Sequence, residues 1–472
     1  MPTQITVRSD PRQFPSSSRV DYQRTFARRS RRADLLVISL WASGAAAAAL
    51  FLASGGASQF GSLAETVTSV GIVAGLVGTD FILVMLVLAA RIPFIDRTIG
   101  HDRAVAVHRA LGKPALYLLL GHGALLLIGY GMSSGINPIA QIGPMLALPD
   151  MPLAFIAMGL MITVVVTSLV AVRRRFSYEG WHLVHLLSYF SVAFALPHQL
   201  SVGGVLAEGT VQRVYWIALY VIAFGCLITF RFIEPIVSSL RHRITVAGTT
   251  TIAPGVTSIH LSGHNLRGLG AAGGQFFIWR FWTRATWWHS HPISLSALPT
   301  SSTARITVRD LGSGSARISA VPVGTRVSIE GPYGLFTDAA RTSPKVAIIA
   351  AGIGVTPIRA LLDHARFAPG EATILLRAST QEETYHWDEI RELAAAKGAR
   401  CYVMVGRRSR VGPGWISEQD ALRGVTLAGT FPDLADSDLY LCGPTAWLDL
   451  VEADARAAGI PQYQIHAERF DW

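Results

Sequence analysis

RRRFSYEGWHLVHLLSYFSVAFALPHQ, residues 173–199, places three arginines ahead of an apolar run that carries His182, His185 and His198. The run is long enough for a helix through a bilayer, and the arginines suit a membrane surface. A histidine inside such a span is costly unless it is paired, hydrated or bound to something. The histidines therefore ask for a partner, and the rest of the chain has to supply it.

A second apolar run, from Ala104 to Met132, carries His108 and His122. Fourteen residues separate this pair, about 20 Å along a helix axis and only about 40° off one face. One helix could therefore present imidazoles at two depths of a hydrocarbon core about 30 Å thick. Thirteen residues separate His185 from His198, which leaves them over about 100° apart on an ideal helix. Pro197 can bend the helix there and restore a common face. His182 lies one turn from His185, and spacing alone does not choose between them. Neutral imidazole is an axial ligand of haem iron, so two spans with two histidines each suggest two stacked haems. The plain alternative is histidines hydrogen-bonded to neighbouring helices.

The chain has 472 residues, 50% hydrophobic and only 15% charged. Six stretches reach spanning length: roughly 34–54, 66–90, 104–131, 152–172, 180–199 and 211–232. The formal charge of +10 comes from arginines that flank alternate ends of these spans, while the loops at 55–65, 132–150 and 199–212 hold no Lys or Arg. That asymmetry predicts a multi-pass protein of the plasma (inner) membrane with both termini in the cytoplasm. The basic charge sets topology, and no nucleic-acid partner is expected. Asp80, inside the second span, is a possible proton-path residue or a side chain paired within the bundle. The three cysteines, Cys226, Cys401 and Cys442, fit no disulfide framework or metal spacing. Residues 1–33 are polar and Arg-rich, and are expected to be a disordered basic arm.

YEGWHLVHLLSYFSVAFALPHQ resembles the fifth span of the ferric reductase/NADPH oxidase superfamily, in which a Tyr-Glu-x-Trp/Phe run leads into the first ligand. The resemblance selects His185 over His182. It implies two bis-histidyl b-type haems, one held by His108 with His185 and the other by His122 with His198.

The second half alternates strands, turns and charged helices. RITVAGTTTIAPGVTSIHLSG, GGQFFIWRF, WWHSHPISLSA, ARITVRDLGSGSARI and TRVSIEGPYG read as short strands broken at Gly and Pro. Their order resembles the FAD-binding antiparallel barrel of ferredoxin–NADP reductases, as used in the same superfamily. This implies that His291, Pro292, Ile293 and Ser294 line the flavin, with the Ser294 hydroxyl near its reactive nitrogen. Arg309 and the Gly312–Ser315 turn would meet the pyrophosphate. Ile293 and Ser294 stand where relatives often have Phe and Thr.

KVAIIAAGIGVTPIRALLDHA reads as a buried strand, a glycine turn at Gly352 and Gly354, and a helix opened by Thr356-Pro357. Backbone donors and a positive helix end suit a dinucleotide phosphate. The units around TILLRAST, CYVMVGRR and LYLCGP extend this into a parallel nucleotide-binding domain. By resemblance, Cys442-Gly443-Pro444 lies beside the nicotinamide, and Phe470, or else Trp472, covers the flavin. Arg377 and Arg407 are candidates for the 2′-phosphate of NADPH, with NADH as the other cofactor.

The expected architecture is a basic arm (1–33), a six-helix transmembrane haem bundle (34–232), an antiparallel FAD barrel (233–340) and an α/β NAD(P)-binding domain (341–472). The expected activity is that of an NAD(P)H-dependent flavohaem oxidoreductase. It would pass electrons from cytoplasmic NAD(P)H through FAD and two haems to a small-molecule acceptor: dioxygen giving superoxide, ferric chelate or quinone. Leu126 replaces a histidine that oxidases of this family often carry one turn beyond the outer ligand, which weakens the dioxygen reading. No obligate protein partner is expected beyond the lipid bilayer. The rival readings are a transporter or channel with a histidine proton relay and a regulatory nucleotide-binding domain, and a haem-free quinone-linked dehydrogenase.

Overall fold

The computed structural model describes residues 19–169, 172, 174–175, 178–202 and 204–470. They form two compact units.

The membrane unit holds residues 33–95 and 102–231. Its helices are α1 (Arg19–Ala53), α2 (Leu63–Ala89), α3 (His101–Ser134), α4 (Met151–Ser168), α5 (Tyr178–Ser201) and α6 (Val211–Ile228). All six are long and apolar enough to cross a membrane. Ser62 and Glu65 close α2 with a reciprocal capping box, and the Thr210 hydroxyl caps α6. α5 runs on through Pro197 to Ser201. Asp80 is fully buried and accepts a 2.6 Å hydrogen bond from Ser43, so at least one of its oxygens is paired within the bundle.

The expectation of a disordered arm to residue 33 is corrected where the chain is described. α1 begins at Arg19, so residues 19–33 are helical. Their arginines are good helix formers, and the segment finds partners: the Phe26 ring lies 5.4 Å from that of Tyr463, tilted by 37°, and Tyr22 lies under the Arg341 guanidinium at 4.6 Å. Residues 1–18 lie outside the described residues, as does Trp472. The basic stretch after the sixth span is likewise helical, as α7 (Glu234–His242).

The second unit contains two sheets. β1 (Thr245–Ala253), β2 (Val256–Ser262), β3 (Phe276–Phe281), β4 (His291–Ala297), β5 (Thr303–Arg309) and β6 (Val327–Tyr333) are ordered β1-β2-β5-β4-β3-β6, every pair antiparallel. A bridge between Thr245 and Arg326, with the Val327 amide donating to the Ile244 carbonyl at 2.9 Å, brings β1 against β6 and closes the barrel. Its interior is filled by Ile259, Phe277, Trp279, Phe281, Leu295 and Ile306.

β7 (Lys345–Ala351), β8 (Ala372–Ala378), β9 (Arg400–Val405), β10 (Ser437–Pro444) and β11 (Ile465–Phe470) form a parallel sheet ordered β11-β10-β7-β8-β9. α9 (Val355–His364), α10 (Trp387–Ala396) and α11 (Thr445–Ala457) pack on it. The strands are near-continuous apolar runs, as burial on both faces requires. Strand order reverses at β7, and such switch points, at the carboxyl ends of the strands, are where open α/β sheets bind ligands.

Candidate functional site

In the membrane unit, the rings of His108 and His185 have centroids 6.3 Å apart and planes inclined at 61°. Two imidazoles on opposite sides of one metal, each nitrogen about 2.0–2.1 Å away, have centroids about 6.3 Å apart. The pair is thus close enough that both rings would reach one metal. Trp181 stacks on His185 at 5.1 Å, and its indole N–H donates to the Ser168 hydroxyl.

His122 and His198 line one cavity of about 260 Å³, together with Leu126, Tyr130, Met158 and Gln199. The Gln199 side-chain oxygen accepts from the Trp216 indole (2.7 Å) and the Tyr220 hydroxyl (3.2 Å), which anchors the helix end next to His198.

The outward nitrogens fix the tautomers on α3. His108 Nδ1 lies 3.1 Å from the Met85 carbonyl, and His122 Nδ1 lies 2.8 Å from that of Gly71. A carbonyl only accepts, so each Nδ1 carries the hydrogen and each Nε2 of the neutral ring keeps its lone pair. Second-shell bonds of this kind are what orient metal-ligating histidines. Among the described residues, no group of three or more His, Cys, Asp or Glu side chains is arranged for a metal ion. Two imidazoles that each keep an Nε2 lone pair would fit a group such as haem, which brings the metal's other ligands with it.

In the second unit, a pocket of about 400 Å³ gathers His291, Pro292, Ile293, Ser294, Arg309, Gly312 and Ser315 with Thr356 and Phe470. β4 presents the first four. The Trp279 indole donates to the Ile293 carbonyl at 2.9 Å and locks that strand against β3. Ser294 Oγ and His291 Nε2 are buried in the pocket wall without a hydrogen-bond partner. Buried orphan polar atoms are costly, and a heteroaromatic ligand with donors and acceptors on its rim answers that cost. Burial lowers the His291 pKa, with His289 and Arg280 adding to the effect, so the imidazole is held neutral.

The Gly312–Ser315 turn opens a short helix, α8 (Ser313–Ser319), and the Ser315 hydroxyl receives the Leu311 amide at 2.8 Å. Arg309 lies in the wall, but its guanidinium is paired with Glu383 at 3.0 Å.

Gly352 and Gly354 follow β7. A Cβ on Gly354 would come within 2.4 Å of the Cys442 carbonyl, so only glycine lets this turn close on β10. The Thr356 hydroxyl donates to the Ile353 carbonyl at 3.0 Å, and Pro357 is buried in the first turn of α9. Phe470, the last residue of β11, is in register with Pro444 and reaches the flavin-side pocket. Gly443 adjoins them in the same β10 segment.

Two candidates are buried. Arg377 is 4% exposed, and its guanidinium donates to the carbonyls of Ala378, Met404 and Gly406. It ties the ends of β8 and β9 together, while Arg407 is exposed. Cys442 is fully buried among the apolar side chains of the sheet, and its carbonyl, rather than its thiol, meets the glycine turn.

The sequence reading missed Glu383 and the carbonyls of Met85 and Gly71. Glu383 carried no signal. The second span did carry one: Gly71, Gly75 and Gly78 recur on one helical face, the pattern of close helix packing.

Residues 74–196 match the family described as "Ferric reductase like transmembrane component", and residues 348–452 match "Oxidoreductase NAD-binding domain". Ferredoxin–NADP reductase B of Sorangium cellulosum is 32% identical over 171 residues, 34% of this chain and 68% of that protein. The ferredoxin–NAD(+) reductase component of the alkene monooxygenase system of Xanthobacter autotrophicus is 31% identical over 150 residues, and the chain covers 45% of it. The FAD/NAD-binding domain of a Vibrio cholerae nitric oxide dioxygenase aligns with 48% of this chain and 98% of that domain, at 25% identity and a TM-score of 0.38. With six apolar helices leading into an antiparallel and then a parallel sheet, the chain belongs to the multi-pass, ferric reductase-like NAD(P)H oxidoreductases, its membrane component joined to a ferredoxin–NADP reductase-type module.

Proposed function

We propose that the chain carries electrons from NAD(P)H through FAD and two b-type haems, across the membrane, to ferric iron presented as a chelate at the outer face. FAD supplies the conversion of a two-electron hydride donor into one-electron delivery, and haem supplies the one-electron relay. The protein's part is ligation, orientation and exclusion of water. His108 with His185, and His122 with His198, would hold the two haems. The Met85 and Gly71 carbonyls keep the α3 imidazoles in the ligating tautomer. His291 and Ser294 offer the flavin rim its polar partners, and Phe470 closes the face from which nicotinamide approaches. Cys442, Gly443 and Pro444 shape that side from β10, and Arg407 is available to a 2′-phosphate, which favours NADPH over NADH.

The observation that carries the reading is the 6.3 Å separation of the His108 and His185 rings. The arginine asymmetry between loops supports a cytoplasmic FAD and NAD(P) module with an outward second haem. Leu126 in the wall of the His122 cavity supports ferric iron over dioxygen, because an apolar side chain offers reduced oxygen no hydrogen bond. The mostly apolar lining of that cavity also disfavours a histidine proton relay, which needs polar neighbours or water.

The test is an absorbance spectrum of the detergent-purified protein before and after anaerobic NADPH and FAD. Two b-type haems per chain, one lost in His185→Ala and the other in His198→Ala, are expected. FAD binding without haem bands would overturn the relay. Reoxidation faster with ferric chelate than with air is expected; the reverse order would make dioxygen the acceptor.

A further inference from the structure

β5 faces the nucleotide-binding sheet with three alternate residues, Arg305, Thr307 and Arg309, which a strand presents on one side. Each meets a side chain that follows β8. Arg305 makes a two-pronged ion pair with Glu389 at 2.8 and 2.9 Å, Thr307 shares a hydrogen bond with His386 at 3.1 Å, and Arg309 pairs with Glu383 at 3.0 Å.

The two outer contacts differ in kind. Arg305 also donates to the hydroxyl and carbonyl of Ser296, while Glu389 accepts from Arg359 (2.7 Å) and His386 (3.0 Å). Neither Arg305 nor Glu389 lines the flavin-side pocket. Arg309 does line it, and its guanidinium is paired with Glu383, at 36% and 25% side-chain exposure. Glu383 is the fixed member of that pair, since its other oxygen accepts the Ser379 amide at 3.1 Å. Arg309 is the partner on the pocket wall, next to a bare glycine turn: a Cβ on Gly352 would lie 3.6 Å from its guanidinium.

We propose that Glu383 is a built-in competitor for the flavin diphosphate. Its carboxylate and an entering phosphate compete for the Arg309 guanidinium, and the phosphate displaces the carboxylate. A phosphate offers the same paired oxygens as a carboxylate, with more charge. Filling the pocket therefore loosens the Arg309–Glu383 tie between barrel and nucleotide-binding sheet and leaves the Arg305–Glu389 and Thr307–His386 contacts as the pivot. By linkage, strengthening the Glu383 tie weakens flavin binding by the same factor. The inference rests on the reading of Arg309 as the diphosphate residue.

The test titrates the full-length, detergent-purified protein with FAD, following flavin fluorescence. Glu383→Gln is expected to bind FAD about two- to fivefold more tightly, the factor that a partly exposed ion pair commands. Riboflavin, which lacks the diphosphate, should bind both proteins equally, and Glu389→Gln should bind FAD like wild type. FAD affinity in Glu383→Gln equal to or below wild type, with Arg309→Ala still binding weakly, would overturn the competition and leave the site reading intact. Undiminished FAD binding in Arg309→Ala would overturn both. In the wild type, FAD should speed amide exchange at residues 381–383; unchanged or slower exchange there would count against release of the tie.

Discussion

A Cβ placed on Gly75 would come within 2.5 Å of His122 Nδ1, so the second span makes room for the imidazole of the third. The same ring donates to the Gly71 carbonyl one turn away. Any side chain at position 75 has to push the ring off that carbonyl. Gly75→Ala is expected to lower the outer haem to a minor fraction while the inner one stays, so that the reduced b-type absorbance falls by about half. Haem per chain, measured by pyridine haemochrome, checks this. Full loading in Gly75→Ala would mean that the ring has slack, and that the glycine serves only helix packing.

Glu389 predicts an acid dependence. Desolvation alone would raise its pKa, yet hydrogen bonds from Arg305, His386 and Arg359 bring it down from 4.5 to about 2. A folded pKa below the unfolded one gives stability that is complete above the unfolded value and is lost as pH falls through the folded one. Glu389→Gln should therefore unfold at lower urea concentration than wild type at pH 7. The gap should narrow between pH 4.5 and about 2, as wild type loses the same charge. Because the carboxylate is 37% exposed, solvent screening keeps the effect modest. A gap independent of pH would assign the effect to packing instead.

The membrane half was legible because each of its signals is local. Apolar run length gave the spans, and the fourteen-residue spacing of His108 and His122 put both on nearly one helical face. His185 was reached only through the Tyr-Glu-Gly-Trp resemblance, since a one-turn offset from His182 is invisible to spacing. The barrel and parallel sheet were legible from turn residues and strand order. Residues 19–33 were misread because arginine content speaks for solvation, whereas the partners that fold them, Tyr463 and Arg341, lie more than three hundred residues away. The burial of Arg377 was not legible for a related reason: it depends on the neighbouring strand end at Gly406, which no local pattern encodes.

Cys442 predicts a negative. Burial in the sheet core pushes its thiol well above the usual range, and Glu468 adds to the effect. The thiolate is the reactive form. Iodoacetamide at pH 8 is expected to leave Cys442 unmodified in the folded protein and to label it fully in denaturant, by peptide mass spectrometry. Added NADP+ should make no difference. Rapid labelling that NADP+ suppresses would instead open the thiol to the nicotinamide side.

The longest helix predicts a tie that the spans do not need. At 1.5 Å per residue, the 35 residues of α1 extend about 52 Å, while a hydrocarbon core takes about 30 Å. The excess lies at the Arg19 end, where Phe26 meets Tyr463 and Tyr22 meets Arg341. Arg341 is itself buried and bound to Asp338 and to the carbonyls of Ser343 and Arg366, so Tyr22 packs on a rigid surface. Aromatic pairs of this kind are worth about 0.5–1.5 kcal/mol. Phe26→Ala should speed amide exchange at residues 462–464, by about two- to tenfold for that loss, and Phe26→Ala in a Tyr463→Ala background should add nothing further. Equal exchange in wild type and Phe26→Ala would mean that the helix end merely rests on the sheet, and that arginines 24 to 32 serve membrane topology alone.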